Sequence, residues 1–201
     1  MFATVQRVRK HAREFFGAFR RGAYEKTPSG LYFPRQRLMI AGHYEFGVAG
    51  GPVHRQKNLI VAEGIGAILN VALGATAKYA GFYLAPYSGA INPASNWTAA
   101  NFTATATEVT STSEGFSETT RPQWTPAAAS GGTITNNASK AAFTIVATSS
   151  VTFQGAALLT NSARGGTTGV LINAIRFTNP EVLNNGASWE LGWSCTLADA
   201  D

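Results

Sequence analysis

The side chains able to do chemistry in this chain are few and far apart. His11, His43, His54 and Cys195 are its only imidazoles and thiol, the groups that could act near neutral pH as a base, a soft metal ligand or a sulfur nucleophile. A Ser-His-Asp relay needs an acid behind its histidine. No Asp precedes Asp199, so a Glu would have to stand in, and no G-x-S-x-G turn is present to expose a nucleophilic serine. His11 falls in a charged, helix-like segment and His43 in a strand-like run, where structural roles are commoner than catalysis; His54, in "HRQK", reads as solvent-facing. The glutamates are scattered singly, which does not suit a hard-cation cage, and one cysteine excludes both an internal disulfide framework and a Cys-based zinc site. The loop "GVAGGP" (47–52) lacks the G-K-[ST] of a phosphate loop, and "EGIGAIL" (63–69) is a lone G-x-G. The expectation is a non-enzymatic protein with no catalytic residue, no cofactor and no metal ion.

With chemistry set aside, charge is the strongest signal. Residues 1–57 hold 11 Lys/Arg against 3 Glu, whereas residues 58–201 hold 5 against 8 acids, so the formal charge of +5 belongs to the N-terminal quarter. In that quarter Val5, Val8, Ala12, Phe15, Phe16 and Phe19 recur at intervals of three and four, an apolar arc about 100° wide on a helix. Arg7, Lys10, Arg13 and Arg21 lie outside the arc. The spacing predicts a basic amphipathic helix over 1–24, ended by Gly22 and followed by a linker over 25–36 that contains "KTPSG". No apolar stretch reads as a signal peptide or reaches the roughly 18 residues a membrane span needs.

Periodicity changes to two at "RLMIAGHYEFGV" (37–48), with Ile40, Gly42, Tyr44, Phe46 and Val48 on one face, and "AGGP" turns the chain into "VHRQKNLIV". "AEGIGAILNVALG" (62–74) follows as a short helix, with Ile65, Ile68, Leu69, Ala72 and Leu73 expected toward the core. The remainder reads as strands: 77–85, 118–125, 140–147, 151–160, 169–178 and 188–197, with 97–110 as either a short helix or a loop. Six or more short strands punctuated by turns predict a mainly β body over 37–201, an antiparallel β-sandwich of jelly-roll or Ig-like kind with one or two short helices. "RPQW" within it places Arg121 and Trp124 about a proline-fixed extended edge, a possible subunit contact, although an Arg packed on a core-rim aromatic is the commoner use of the same residues. Trp97 and Trp124 could stack on a glycan if exposed, with burial in the core the commoner role. The N-x-S/T triplets at Asn96, Asn101 and Asn137 are what a Thr- and Asn-rich chain produces by chance.

Taken in order, "LMIAGHYEF", "KNLIVAEGIGAILNVAL", "GFYLAPYSG", "TAANFTATATE", "ETTRPQW", "TNNASKAAFTI" and "GAALLTNSARGGTTGVLINAIRF" resemble a family of small virion proteins of tailed bacteriophages. The resemblance runs from about Arg37 to Leu197 and leaves the arm outside. It implies a minor structural protein without enzymatic activity, located in the virion and assembled as a homo-oligomer with closed symmetry. Its stations would be the neck, collar or tail first and capsid decoration or cement second, with portal, adaptor, tail or capsid subunits as partners.

The arm then reads as a docking element, with Val5, Val8, Arg9, Ala12, Arg13, Phe15, Phe16, Phe19 and Arg20 as the residues that meet a partner. Two other uses of a basic helix follow from the same residues. Nucleic-acid binding would use the charge but leave the apolar arc unexplained, and membrane binding would use both; protein docking is expected ahead of either.

Overall fold

The computed structural model describes residues 12–14, 16–20, 22–26, 28–34 and 38–199. They belong to two compact units, Met1–Met39 with Ala198–Asp201, and Ile40–Leu197.

In the smaller unit residues 12–14 and 16–20 are helical. The helix stops in a Schellman arrangement, in which Gly22, at φ +71°, donates its N–H to the Phe19 carbonyl and Ala23 donates to that of Ala18, both at 3.0 Å. Directly beyond it β1 (Tyr24–Lys26) pairs antiparallel with β2 (Tyr32–Pro34). The segment expected as a linker, 25–36, therefore carries a hairpin. Its strands have three residues each, too few to show an alternation, and Gly30 supplies the left-handed conformation (φ +86°) in the turn. The rings of Phe19 and Tyr32 meet edge-on at 5.2 Å.

The larger unit is a two-sheet antiparallel β-sandwich. In chain order it contains β3 (Leu38–Val48), β4 (His54–Lys57), β5 (Leu59–Ile60), α1 (Ala62–Ala72), β6 (Phe82–Tyr87), α2 (Ala99–Ala106), β7 (Gly115–Phe116), β8 (Gln123–Trp124) and β9 (Thr133–Thr135). The long strands β10 (Ala141–Val146), β11 (Ser150–Leu159), β12 (Leu171–Asn184) and β13 (Ser188–Asp199) complete it. One sheet runs β4-β3-β13-β10-β7, with β9 also on β13; the other runs β5-β12-β11-β6-β8. The chain crosses between sheets from β10 to β11 and again from β12 to β13, so sequence neighbours end up facing one another.

Aromatic rings fill the space between the sheets. Phe46 stacks on Phe177 at 4.0 Å, and Trp189, fully buried, is met edge-on by Phe153 at 5.1 Å and lies 5.2 Å from Phe143. Burying each such ring stabilises the fold by about 1.5–3 kcal/mol. A second cluster covers the outer face of the β11–β12–β6 sheet, where Trp97, Phe102 and Ala106 pack on Tyr87, Ala157 and Leu159. Consequently β11 is buried on both faces: Ala156 and Leu158 point into one cluster, Ala157 and Leu159 into the other.

Helix α2 starts at a capping box: the Thr98 hydroxyl accepts from the Asn101 N–H, and the Asn101 side chain accepts from the Thr98 N–H at 2.9 Å. The side chain that made 101–103 look like a glycosylation site is engaged in that cap. In α1 the structure departs from the expected core face. Gly64 and Ala67 are buried, Ile68 is half-buried, and Ile65, Leu69 and Leu73 are 44%, 52% and 85% exposed. The cause is a backbone-to-backbone approach: a Cβ on Gly64 would lie 2.0 Å from the Ile172 carbonyl oxygen, so the helix lies against β12 on the face that carries Gly64 and Ala67. Strand β12 also runs past its expected end at Thr178. Pairing jumps from Gly155↔Arg176 to Phe153↔Glu181, and Pro180, which has no N–H to donate, sits in the unpaired bulge.

Candidate functional site

Two arginines and one glutamate form the densest polar cluster in the body. Arg121, in the segment just before β8, is 1% exposed, and Glu108, just after α2, is 7% exposed. The guanidinium grips the carboxylate with both arms, Nε to Oε1 and Nη2 to Oε2, each at 2.7 Å. Its remaining donors reach the β11–β12 loop, Nη1 to the Asn161 carbonyl at 2.8 Å and Nη2 to that of Gly166 at 3.1 Å. From the other side Glu108 accepts from the Thr103 hydroxyl at 2.8 Å and the Gly165 N–H at 3.1 Å. Arg164, in the same loop, donates to the carbonyls of Glu118 and Ser111 at 2.6 Å and of Phe116 at 2.9 Å, with its guanidinium 3.6 Å above the Phe116 ring. This cluster ties three loops together. Every carboxylate oxygen and most guanidinium nitrogens are engaged, so it offers no free acid, base or nucleophile to a substrate.

Arg121 and Trp124, expected as a possible subunit contact, are thus core residues. Trp124 is 5% exposed, with its Nε1–H donated to the Trp193 carbonyl at 3.0 Å and its ring edge-on to Trp193 at 5.1 Å. The same holds for Trp97, 3% exposed among Tyr87 and Phe102, so neither indole presents a face for glycan stacking. Strand β8, directly after Pro122, does stand at the edge of its sheet, paired with β6, but Arg121 and Trp124 are turned inward from it.

The remaining titratable groups are dispersed. His43 is held below its ordinary pKa by burial first and by Arg55 and Lys57 next. His54 lies 3.9 Å from Glu181, whose own pKa is pushed up by burial against the opposing pull of His54. Glu63, in the first turn of α1, accepts from the backbone N–H of Ala99 at 2.8 Å and of Leu171 at 2.7 Å, which joins α1, α2 and β12 through one carboxylate. Burial raises the Cys195 pKa, which keeps a protonated thiol near neutral pH. Among the described residues no three His, Cys, Asp or Glu side chains come together as a metal cage.

Of the arm residues expected to dock, Ala12, Arg13, Phe16, Phe19 and Arg20 are described and all are exposed, Phe16 at 63% and Phe19 at 41%. Val5, Val8, Arg9 and Phe15 lie outside the described residues. Among those described, no helix is long and apolar enough to cross a membrane.

One feature of the body had no forerunner in the sequence pattern. Between the sheets opens an apolar cleft of about 450 Å³ whose floor is Leu158, Ile172, Trp124 and Trp193 and whose rim includes Ala129 and Leu197. Its residues come from eight separate stretches of chain, so no local motif could announce it. The chain matches no known protein-family model, and no curated protein is significantly similar to it.

Proposed function

We propose that this protein is a non-enzymatic structural component of a tailed-phage virion, with its β-sandwich displayed on the particle and its N-terminal arm docked to a neck, collar or tail subunit. The observation that carries the reading is the arm itself: a basic helical segment on which Phe16 is 63% and Phe19 41% exposed. Exposed phenylalanines on a charged helix are costly in water and are the usual anchors of a helix seated in a groove. The resemblance of 37–197 to phage virion proteins supports the same reading, as does a body whose buried charges are all used to fasten loops.

Incorporation into particles tests it. Replacing Phe16 and Phe19 together by Ser leaves the far-UV spectrum and melting of the β body unchanged and removes the protein from purified virions. Normal incorporation of that variant overturns the anchor. Cryo-electron microscopy of the particle separates the stations, since density at capsid symmetry axes and none at the neck makes it a decoration protein.

A further inference from the structure

We propose that the cleft between the sheets binds a single-chain aliphatic molecule of the fatty-acid type. The volume, about 450 Å³, falls in the range of small-molecule sites. What lines it decides the chemistry. The two tryptophans have both indole N–H groups occupied elsewhere, Trp124 by the Trp193 carbonyl at 3.0 Å and Trp193 by the Asn58 side-chain oxygen at 3.1 Å, so they show the cleft only carbon. Leu158, Ile172 and Ile134 add aliphatic surface, and the remaining heteroatom of note is the Cys195 sulfur. A ligand inside would find no hydrogen-bond partner, which rejects sugars, nucleotides and peptides whose polar groups would be stranded there.

Shape narrows the choice to a chain. A second apolar chamber of about 220 Å³, under α1 and bounded by Val71, Ala72 and Tyr79, shares Ile68, Phe82 and Ile172 with the first. The two apolar spaces are therefore neighbours, and a flexible hydrocarbon suits such an adjoining pair better than a rigid ring does. Burial falls from Leu158, fully buried, to Leu197, 47% exposed, so a polar head can stay in water at the rim while the tail is covered. The inference is independent of the virion reading.

The molecule carries its own reporters, because Cys195 is its only cysteine and two of its four tryptophans line the cleft. Titrating the full chain with the series butanoate, octanoate and dodecanoate should change tryptophan emission saturably, with Kd falling about fourfold per added methylene. Dodecanoate at about a hundred times its Kd should slow iodoacetamide alkylation of Cys195 about a hundredfold. Ala129→Trp and Leu197→Trp, which crowd the rim from exposed positions, should abolish both responses while leaving circular dichroism and melting intact. No saturable emission change, a Kd indifferent to chain length, or undiminished binding by both rim variants overturns the proposal.

Discussion

A fully buried arginine is tolerable only when its charge is matched and its donors are filled, and Arg121 satisfies both conditions through one carboxylate and two loop carbonyls. Arg121→Ala strands the Glu108 carboxylate in the interior, and the expected loss is about 3–5 kcal/mol in urea denaturation. Arg121→Lys keeps the charge but not the planar fork, and a point donor cannot span Glu108, Asn161 and Gly166 together; it should recover less than half of that loss. Recovery of wild-type stability by lysine would show that charge alone matters at this position. The pair itself was not legible in the sequence. Arg121 stood out because basic residues are rare after Lys57, whereas Glu108, 13 residues away with a turn and strand β7 between, carried no mark.

At the scale of elements the glycines of α1 make opposite predictions. Gly64 faces β12, where an added Cβ would be 2.0 Å from the Ile172 oxygen, while Gly66 faces open space. Gly64→Ala should therefore destabilise by about 2 kcal/mol or more, through overpacking against backbone that cannot step aside. Gly66→Ala should stabilise by about 1 kcal/mol, by removing the entropy a helical glycine forfeits. Melting curves of the two single variants check this, and equal signs would mean that the Gly64 approach does not orient the helix. These residues also explain why the helix was legible but its core face was not. Bulk and spacing pointed to Ile65, Leu69 and Leu73, and a contact made by the absence of a side chain leaves no hydrophobic trace. Strand β3 was readable because its alternation survives in the fold, half-exposed Ala41, His43 and Glu45 interleaving with buried Gly42, Tyr44 and Phe46. In β11 α2 buries the second face, so the run "GAALL" has no alternation, yet the strand was still legible over 151–160.

For the molecule as a whole, two buried tyrosine hydroxyls brace the sandwich, one from sheet to sheet and one within the β12–β11–β6 sheet. Tyr44 of β3 donates across the sandwich to the Asn173 side-chain oxygen at 2.6 Å, and Tyr87 of β6 reaches past Gly155 to donate to the Ile175 carbonyl at 2.7 Å. Burial raises both phenols well above their ordinary pKa, and for Tyr44 the neighbouring Tyr87 adds to the effect. Unfolded tyrosine titrates near pH 10. A group whose folded pKa is higher contributes stability that is complete below that value and is lost as pH rises through and beyond it, because the unfolded chain then releases protons that the folded one retains. Each tyrosine should remove up to about 1.4 kcal/mol per pH unit above about pH 10. Tyr87→Phe should cost about 1 kcal/mol at neutral pH for the missing hydrogen bond and make the alkaline decline visibly shallower. Tyr44→Phe should cost more at neutral pH, since Asn173, fully buried and with its Nδ2 already lacking a partner, would lose its remaining side-chain bond. Urea midpoints measured from about pH 8 to about pH 11 read both slopes. Parallel curves for wild type and both variants would place the alkaline transition elsewhere than in the hydroxyls that join the two sheets and brace the second.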